Sequence, residues 1–387
     1  MHLRFLISLF FCSLSCSLVS AEEPALRQAT IKGLLVVELG DGSFAGIASQ
    51  MNGTVVKGSG QGFEVSFNQE VGETMESATV EVAKFMSVRH GDQLPQDVRV
   101  ELAFADKYSP KDGPSAAVVS ALLCDSILSG DVIDSGFAAT GDMTAAGEVR
   151  SIGGLVGKIS GAIKKNCKLL AAPESNKDAI HDLLLLDGIR PLYEIQVFTM
   201  ATFDEARAIA MEERSEEMQQ AIDEFAMVQK ALRKNEKLLK NAKVQEKLRA
   251  IVKLAPNHIS ARLLFLQSVG KAPAQLSLPG SLSKIENAAE ELGSMLEDGR
   301  FMERMGDGNV LFGLANEIVS MRSMLDKRTL AYCDSYSALA NYVKALRGRT
   351  QIDKGHLGKI NALVDRIVSE RDKLLNNQEI REELLLE

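Results

Sequence analysis

Residue usage changes once along this chain, near residue 204, and that change limits the fold more than any other feature. Before it, from about residue 28, glycine is frequent and short β-like runs alternate with helical ones. Residues 31–39, Phe63–Phe67, Val98–Phe104 and 169–172 predict strands. Residues 72–88, 115–128, 155–166 and 174–186 predict helices. Such interleaving over about 175 residues requires an α/β or α+β domain, which we place at 28–205.

After residue 204 strand signals vanish and Glu, Lys, Leu, Met and Ala dominate, so 206–387 is expected to be an all-helical domain. Leu254-Ala255-Pro256-Asn257 followed by Ala261 looks like the helix junction of a tetratricopeptide-type repeat. A single such unit is legible, which does not make an array. Near the end Leu357, Ile360, Val364, Ile367 and Leu374 recur at helical steps, interrupted by Arg371. That stripe fits a helix packed on its own domain; a self-association seam is the other reading.

Residues 1–21 read as a secretion signal. Arg4 precedes an apolar run over 5–19, and Val19-Ser20-Ala21 puts small residues before Glu22-Glu23. The run is shorter than the roughly 18–20 residues that span a bilayer, so cleavage is expected rather than a retained anchor. Cys16 could mark a lipoprotein, but Ser13 stands where a Leu-like residue belongs. The expectation is a periplasmic or extracellular chain with no stable membrane span. Cleavage leaves Cys124, Cys167 and Cys333, an odd number set far apart. They are not a disulfide scaffold, although one bridge stays open.

The formal net charge is -8 and no long Lys/Arg run exists, which argues against a nucleic-acid partner. His2, His90, His181, His258 and His356 are scattered outside any ligand spacing, so neither a metal nor a cofactor is expected. No Gly-x4-Gly-Lys-Ser/Thr phosphate loop occurs. Gly58-Ser59-Gly60-Gln61-Gly62 lies between strand-like runs and reads as a hairpin loop.

Chemistry concentrates in Pro110-Lys111-Asp112-Gly113-Pro114-Ser115-Ala116-Ala117, where a strand leads through a Gly/Pro loop into an apolar helix. A hydroxyl at that point sits beside unpaired N–H groups and the positive end of a helix, the parts of an oxyanion hole. Ser115 could equally be an N-cap. A serine nucleophile needs a base. His90 ends a helix and His181 lies in an Asp-rich one, so neither is in an informative context. Lys158 follows Ile152-Gly153-Gly154 on the next helix beside Leu155 and Ala162, where burial would lower its pKa. By spacing alone it could also be one more surface lysine.

The ordered set changes the balance. PKDGPSAA, Ala139-Thr140-Gly141-Asp142, Gly147-Glu148-Val149 and Ile152-Gly153-Gly154-Leu155 with Lys158 together resemble the proteolytic domain of Lon proteases. The resemblance runs upstream to Gly72-Glu73-Thr74-Met75-Glu76-Ser77. Downstream it passes Glu174 and Asn176 and ends near Phe203-Asp204-Glu205-Ala206. Lys158 stands 43 residues after Ser115, as that family's pattern wants.

This resemblance implies an α+β, ribosomal-S5-domain-2-like proteolytic domain followed by an all-α domain. It implies a Ser–Lys dyad, with Ser115 as nucleophile and Lys158 as base. Thr140 would orient the amine, Asp112 would shape the loop, and N–H groups near Gly113 and Ser115 would hold the oxyanion. It also implies a homo-oligomer, hexameric in that family. Ala117 replaces the usual Gly, Asp142 a Glu and Ser151 a Pro, and none of these removes a catalytic group. The reading is an exported, ATP-independent serine endopeptidase acting on polypeptides in unfolded or exposed segments. The competing reading is a non-catalytic scaffold or binding protein of the cell envelope that keeps the fold.

Overall fold

The computed structural model describes residues 24–38, 44–60, 62–106, 111–297, 308–346, 353–378, 380 and 381. Residues 1–21, expected to be a secretion signal, and Pro110 lie outside the described residues. The fold is α+β at its N-terminal side and helical beyond, as expected.

Seven strands form one mixed sheet. They are β1 (Gln28–Glu38), β2 (Phe44–Lys57), β3 (Phe63–Phe67), β4 (Val98–Phe104), β5 (Phe137–Ala139), β8 (Leu169–Pro173) and β9 (Gln196–Met200), in the order β3-β4-β2-β1-β5-β8-β9. A small separate ladder pairs β6 (Asp142–Met143) with β7 (Val149–Arg150). β2 runs antiparallel to both of its neighbours, β1 and β4, while β1, β5, β8 and β9 run parallel.

The glycine-rich loop 58–62 is not a hairpin. β3 pairs in parallel with β4 rather than with β2, so the loop carries the chain past β4 to the sheet edge. The expected strand at 31–39 is β1, and β2 after it went unread. Its buried positions include Gly46 and Ala48 on one face and Met51 and Gly53 on the other, so no single hydrophobic alternation runs along it.

The helices that matter for the site are α1 (Glu73–His90), α2 (Ala117–Ser129), α3 (Leu155–Lys164) and α4 (Lys177–Asp187). α2 is buried along almost its whole length, which explains its near-continuous apolar sequence. Two short helices, α5 (Arg190–Glu194) and α6 (Phe203–Ala210), flank β9; α6 begins with a capping box between Thr202 and Glu205.

The helical half is packed in two pieces. α7 (Glu216–Lys234), α8 (Ala242–Leu254) and α9 (Ile259–Ser268) bury Phe225, Leu248, Ile251 and Leu263 in one core with the sheet and its helices. A second core runs from Leu276 to Ile380. It gathers α10 (Leu278–Glu297), α11 (Gly308–Met321), α12 (Leu330–Ala345) and α13 (Lys354–Leu375). Ile360, Ile367 and Leu374 of the amphipathic stripe are buried there, so α13 packs on its own unit while Leu357 stays exposed.

The Pro256-Asn257 turn between α8 and α9 closes the sheet edge. β9 points two N–H groups away from β8; Val197 donates to Ser260 Oγ (2.9 Å) and Thr199 donates to the Asn257 carbonyl (2.9 Å). Asn257 Nδ2 returns a bond to the Thr199 carbonyl at 3.1 Å, and Ser260 Oγ donates to the Ile195 carbonyl at 3.3 Å. His258 is fully buried between Phe198 and Phe225, with ring centroids 4.2 and 4.4 Å away. Burial depresses its pKa to about 3, so the ring is neutral. Its Nδ1 accepts the Ala261 N–H and its Nε2 therefore donates to Gln196 Oε1.

Cys124, Cys167 and Cys333 are buried and free. Among the described residues no helix is long and apolar enough to cross a membrane.

Candidate active site

Gly113 has φ 105°, in the region that favours glycine, and from there the chain enters a single 3-10 turn over Pro114–Ala116. Ser115 sits inside that turn and α2 begins two residues later, at Ala117. Ser115 is not the cap of α2: Ala116 holds the N-cap position and no side chain caps either the turn or the helix. The capping alternative, open from the sequence, is therefore closed. The N–H groups at the start of the turn have no partner within the helix.

The carbonyl of Ser115 is held by the segment that follows β5. Gly141 N donates to it at 2.9 Å and Thr140 Oγ1 at 3.4 Å. Thr140 is fully buried, and its own N–H reaches the Ala171 carbonyl on β8 at 3.2 Å. Its Oγ1 accepts a hydrogen bond from Lys158 Nζ at 3.3 Å. Ser115, Thr140 and Lys158, spread over 43 residues of sequence, are thus joined in one chain of contacts with Thr140 at its centre. The Ser115 hydroxyl and the Lys158 amine make no direct hydrogen bond in this state, and catalytic contacts often tighten only when substrate is bound.

Lys158 is 3% exposed, on the first turns of α3 among Leu155, Ile159 and Ala162. Burial alone lowers its pKa to about 8, and no carboxylate is paired with it. An amine in that condition exchanges its proton near neutral pH, which a solvated lysine does not do.

Asp112 does more than shape the loop. Its Oδ1 accepts hydrogen bonds from Thr74 Oγ1, from Met75 N at 3.2 Å and from Gly113 N at 2.7 Å, tying the loop to the first turn of α1. The Thr74 hydroxyl is the main reason its carboxyl lies below the usual range. Gly113 N, expected near the oxyanion, is instead engaged here by Asp112 and by Thr74 Oγ1 at 2.9 Å.

Asn176 was legible only as part of a motif, and its work is structural. Its side-chain oxygen accepts from Ile152 N at 2.9 Å and its nitrogen donates to Ile152 O at 3.0 Å, clamping the turn that launches α3. The two fallback histidines are committed elsewhere, His90 to Asp125 at 3.2 Å and His181 to Asp178 at 3.3 Å.

Residues 27–212 match the family described as the Lon protease (S16) C-terminal proteolytic domain. These residues form a Lon-type proteolytic domain.

The relatives agree. A Lon protease of Leptospira interrogans is 31% identical over 114 residues, 29% of this chain and 14% of its own length. One from Azorhizobium caulinodans is 30% identical over 169 residues, 43% of this chain and 19% of its own. One from Fusobacterium nucleatum is 27% identical over 157 residues, 39% of this chain and 20% of its own. The chain thus spans a fifth or less of these relatives' length. Membership supports a peptidase. Its departures from the pattern sit comfortably. Ala117 is buried at the start of α2, and Asp142 on β6 is half-buried 3.9 Å from Arg150.

Proposed function

We propose that this chain is an exported serine endopeptidase that needs no ATP and cuts polypeptides in unfolded or exposed segments with a Ser115–Lys158 dyad. The observation that carries the reading is the buried lysine with no counter-charge, hydrogen-bonded to the threonine that also holds the backbone of Ser115. Burying an ammonium is costly, and a scaffold gains nothing from it.

In the proposed cycle the neutral Lys158 amine takes the Ser115 proton as the hydroxyl attacks a peptide carbonyl. The resulting ammonium then protonates the leaving amine, and water hydrolyses the acyl-enzyme by the same route in reverse. Thr140 accepts one amine N–H, which leaves the nitrogen lone pair to be aimed at the hydroxyl. The N–H groups of Ser115 and Ala116, unpaired within the turn, are the candidate oxyanion donors. Export rests on the 1–21 signal pattern, and ATP independence on the lack of a phosphate loop in the sequence. Assembly into a homo-oligomer rests on the family resemblance.

The test is hydrolysis of casein by the purified mature chain, without nucleotide and with a chelator present. Activity is expected, and Ser115→Ala should abolish it while leaving the fold intact. Equal hydrolysis by the variant and the wild type would overturn the reading.

A further inference from the structure

We propose that Gly46, on β2, is a positioning residue for Lys158: its missing side chain lets the peptide between Gly157 and Lys158 rest directly on the sheet. The proposal builds on the reading of Lys158 as the base. α3 carries Gly157 and Gly161 four residues apart, on one helix face, and both meet Gly46. A Cβ on Gly46 would stand 1.8 Å from the Gly157 carbonyl oxygen and 2.5 Å from the backbone nitrogen of Lys158. A Cβ on Gly161 would stand 2.5 Å from the carbonyl carbon and oxygen of Gly46. Gly157 differs, since a Cβ there would lie 3.4 Å from Gly46 N, in ordinary contact.

Gly46 is not among the glycines with positive φ, so alanine can adopt its backbone and only the contact is at stake. Opening 1.8 Å to the 3.0 Å floor of real Cβ contacts moves the obstructing peptide by about 1.2 Å. That peptide begins Lys158, whose amine already reaches Thr140 at 3.3 Å. A misplacement of about 1 Å at a catalytic group costs on the order of a hundredfold in rate. Lifting α3 off β2 also admits water to the amine, and the same move that disorients the base makes it harder to deprotonate.

The experiment compares Gly46→Ala, Gly161→Ala and Gly157→Ala with the wild type. Peptide hydrolysis and labelling of Ser115 by a fluorophosphonate are each followed against pH, together with the melting temperature. Gly46→Ala and Gly161→Ala should lose about a hundredfold in activity at pH 7.5. Their rising limb should shift to higher pH by about a unit, with part of the loss recovered at pH ~9.5 as the lysine deprotonates. Gly157→Ala should stay within about twofold and keep its pH profile. A folded Gly46→Ala whose limb has not moved overturns the proposal, because a merely structural contact lowers the melting temperature without moving the midpoint. If Gly46→Ala and Gly161→Ala both fail to fold while Gly157→Ala folds, the contact serves stability alone and the positioning role falls. A wild-type activity that survives Ser115→Ala instead overturns the dyad, so the two failures are told apart.

Discussion

Asp125 on α2 and Lys158 on α3 are both charged side chains in the interior of the same domain, and they are housed in opposite ways. The Asp125 carboxylate is 2% exposed and ringed by Arg89 Nε at 2.8 Å, Arg207 Nε at 2.7 Å and His90 Nε2 at 3.2 Å. Burial pushes its pKa up, but the hydrogen bonds and the two guanidinium groups outweigh that and hold the carboxyl below its usual range. Lys158 has only a threonine hydroxyl. The first arrangement binds three helices together, since Arg89 comes from α1, Asp125 from α2 and Arg207 from α6. The second offers the charge no counter-charge. An unpaired buried charge is a cost, and costs of that kind gather where a proton must move.

The comparison can be broken most severely at the lysine. Lys158→Arg and Lys158→Ala are both expected to lose about a thousandfold or more in peptide hydrolysis, because guanidinium stays protonated and cannot take the Ser115 proton. Wild-type activity should rise through pH 8, where the buried amine loses its proton. A pH–rate profile on one peptide checks both; appreciable turnover by Lys158→Arg would send the search for the base elsewhere.

The next largest effect belongs to the acid. Asp125→Ala leaves Arg89 and Arg207 without their shared partner and should destabilise the fold by roughly 3 to 5 kcal/mol. Denaturant unfolding measures it. The wild-type stability from this site is fully present above the ordinary carboxylate range and is lost as pH falls through the lower, folded-state value. The residual activity of the variant should keep its midpoint near pH 8, since Asp125 has no contact with the lysine.

Third, the lysine should prove a burden on stability. Its folded pKa of about 8 lies below the ordinary 10.5, so the folded state binds the proton more weakly than the unfolded one. The cost is complete below pH 8 and fades as pH rises toward 10.5. Lys158→Met should therefore raise stability near pH 7 by about 3 kcal/mol, with the gain shrinking above pH 8. An inactive variant that is no more stable than wild type would contradict that account. The smallest effect is that of Thr140→Val, which keeps the shape and removes the hydroxyl. Activity should fall about tenfold, and Thr140→Ser should restore most of it.

The contrast also marks what the sequence could tell. Lys158 and Ser115 could be named as candidates only through the ordered motifs that resemble the Lon proteolytic domain, since by spacing alone each had a plain structural reading. The Asp125 cluster was not legible. Its members lie 36 and 82 residues from Asp125, on helices whose own sequences give no hint that they meet. Strands at Phe63–Phe67 and Val98–Phe104 were read to the residue because large apolar side chains alternate there. β2 was invisible because it is covered on both faces and its buried positions include Gly46 and Ala48 on one side and Gly53 on the other. The role of Gly46 is equally silent in sequence, for a close backbone approach leaves no pattern beyond the glycine itself. The 3-10 turn at Ser115 was read as the first turn of α2, since Pro-Ser-Ala favours either equally.

The seal that Asn257 and Ser260 place on β9 has a consequence for solubility. A sheet with open edges is a template, and extended polypeptide adds to it through main-chain bonds regardless of sequence. On the proposed reading this protein would meet such chains as substrates, and indiscriminate strand addition would turn its surroundings into a seed for aggregates. By spending an amide, a hydroxyl and a carbonyl on the outward N–H and C=O groups of β9, the α8–α9 junction removes one of the sheet's two edges from that hazard. The other edge, β3, is only five residues long. The helices after the sheet are thus, in part, a guard against the molecule's own surroundings.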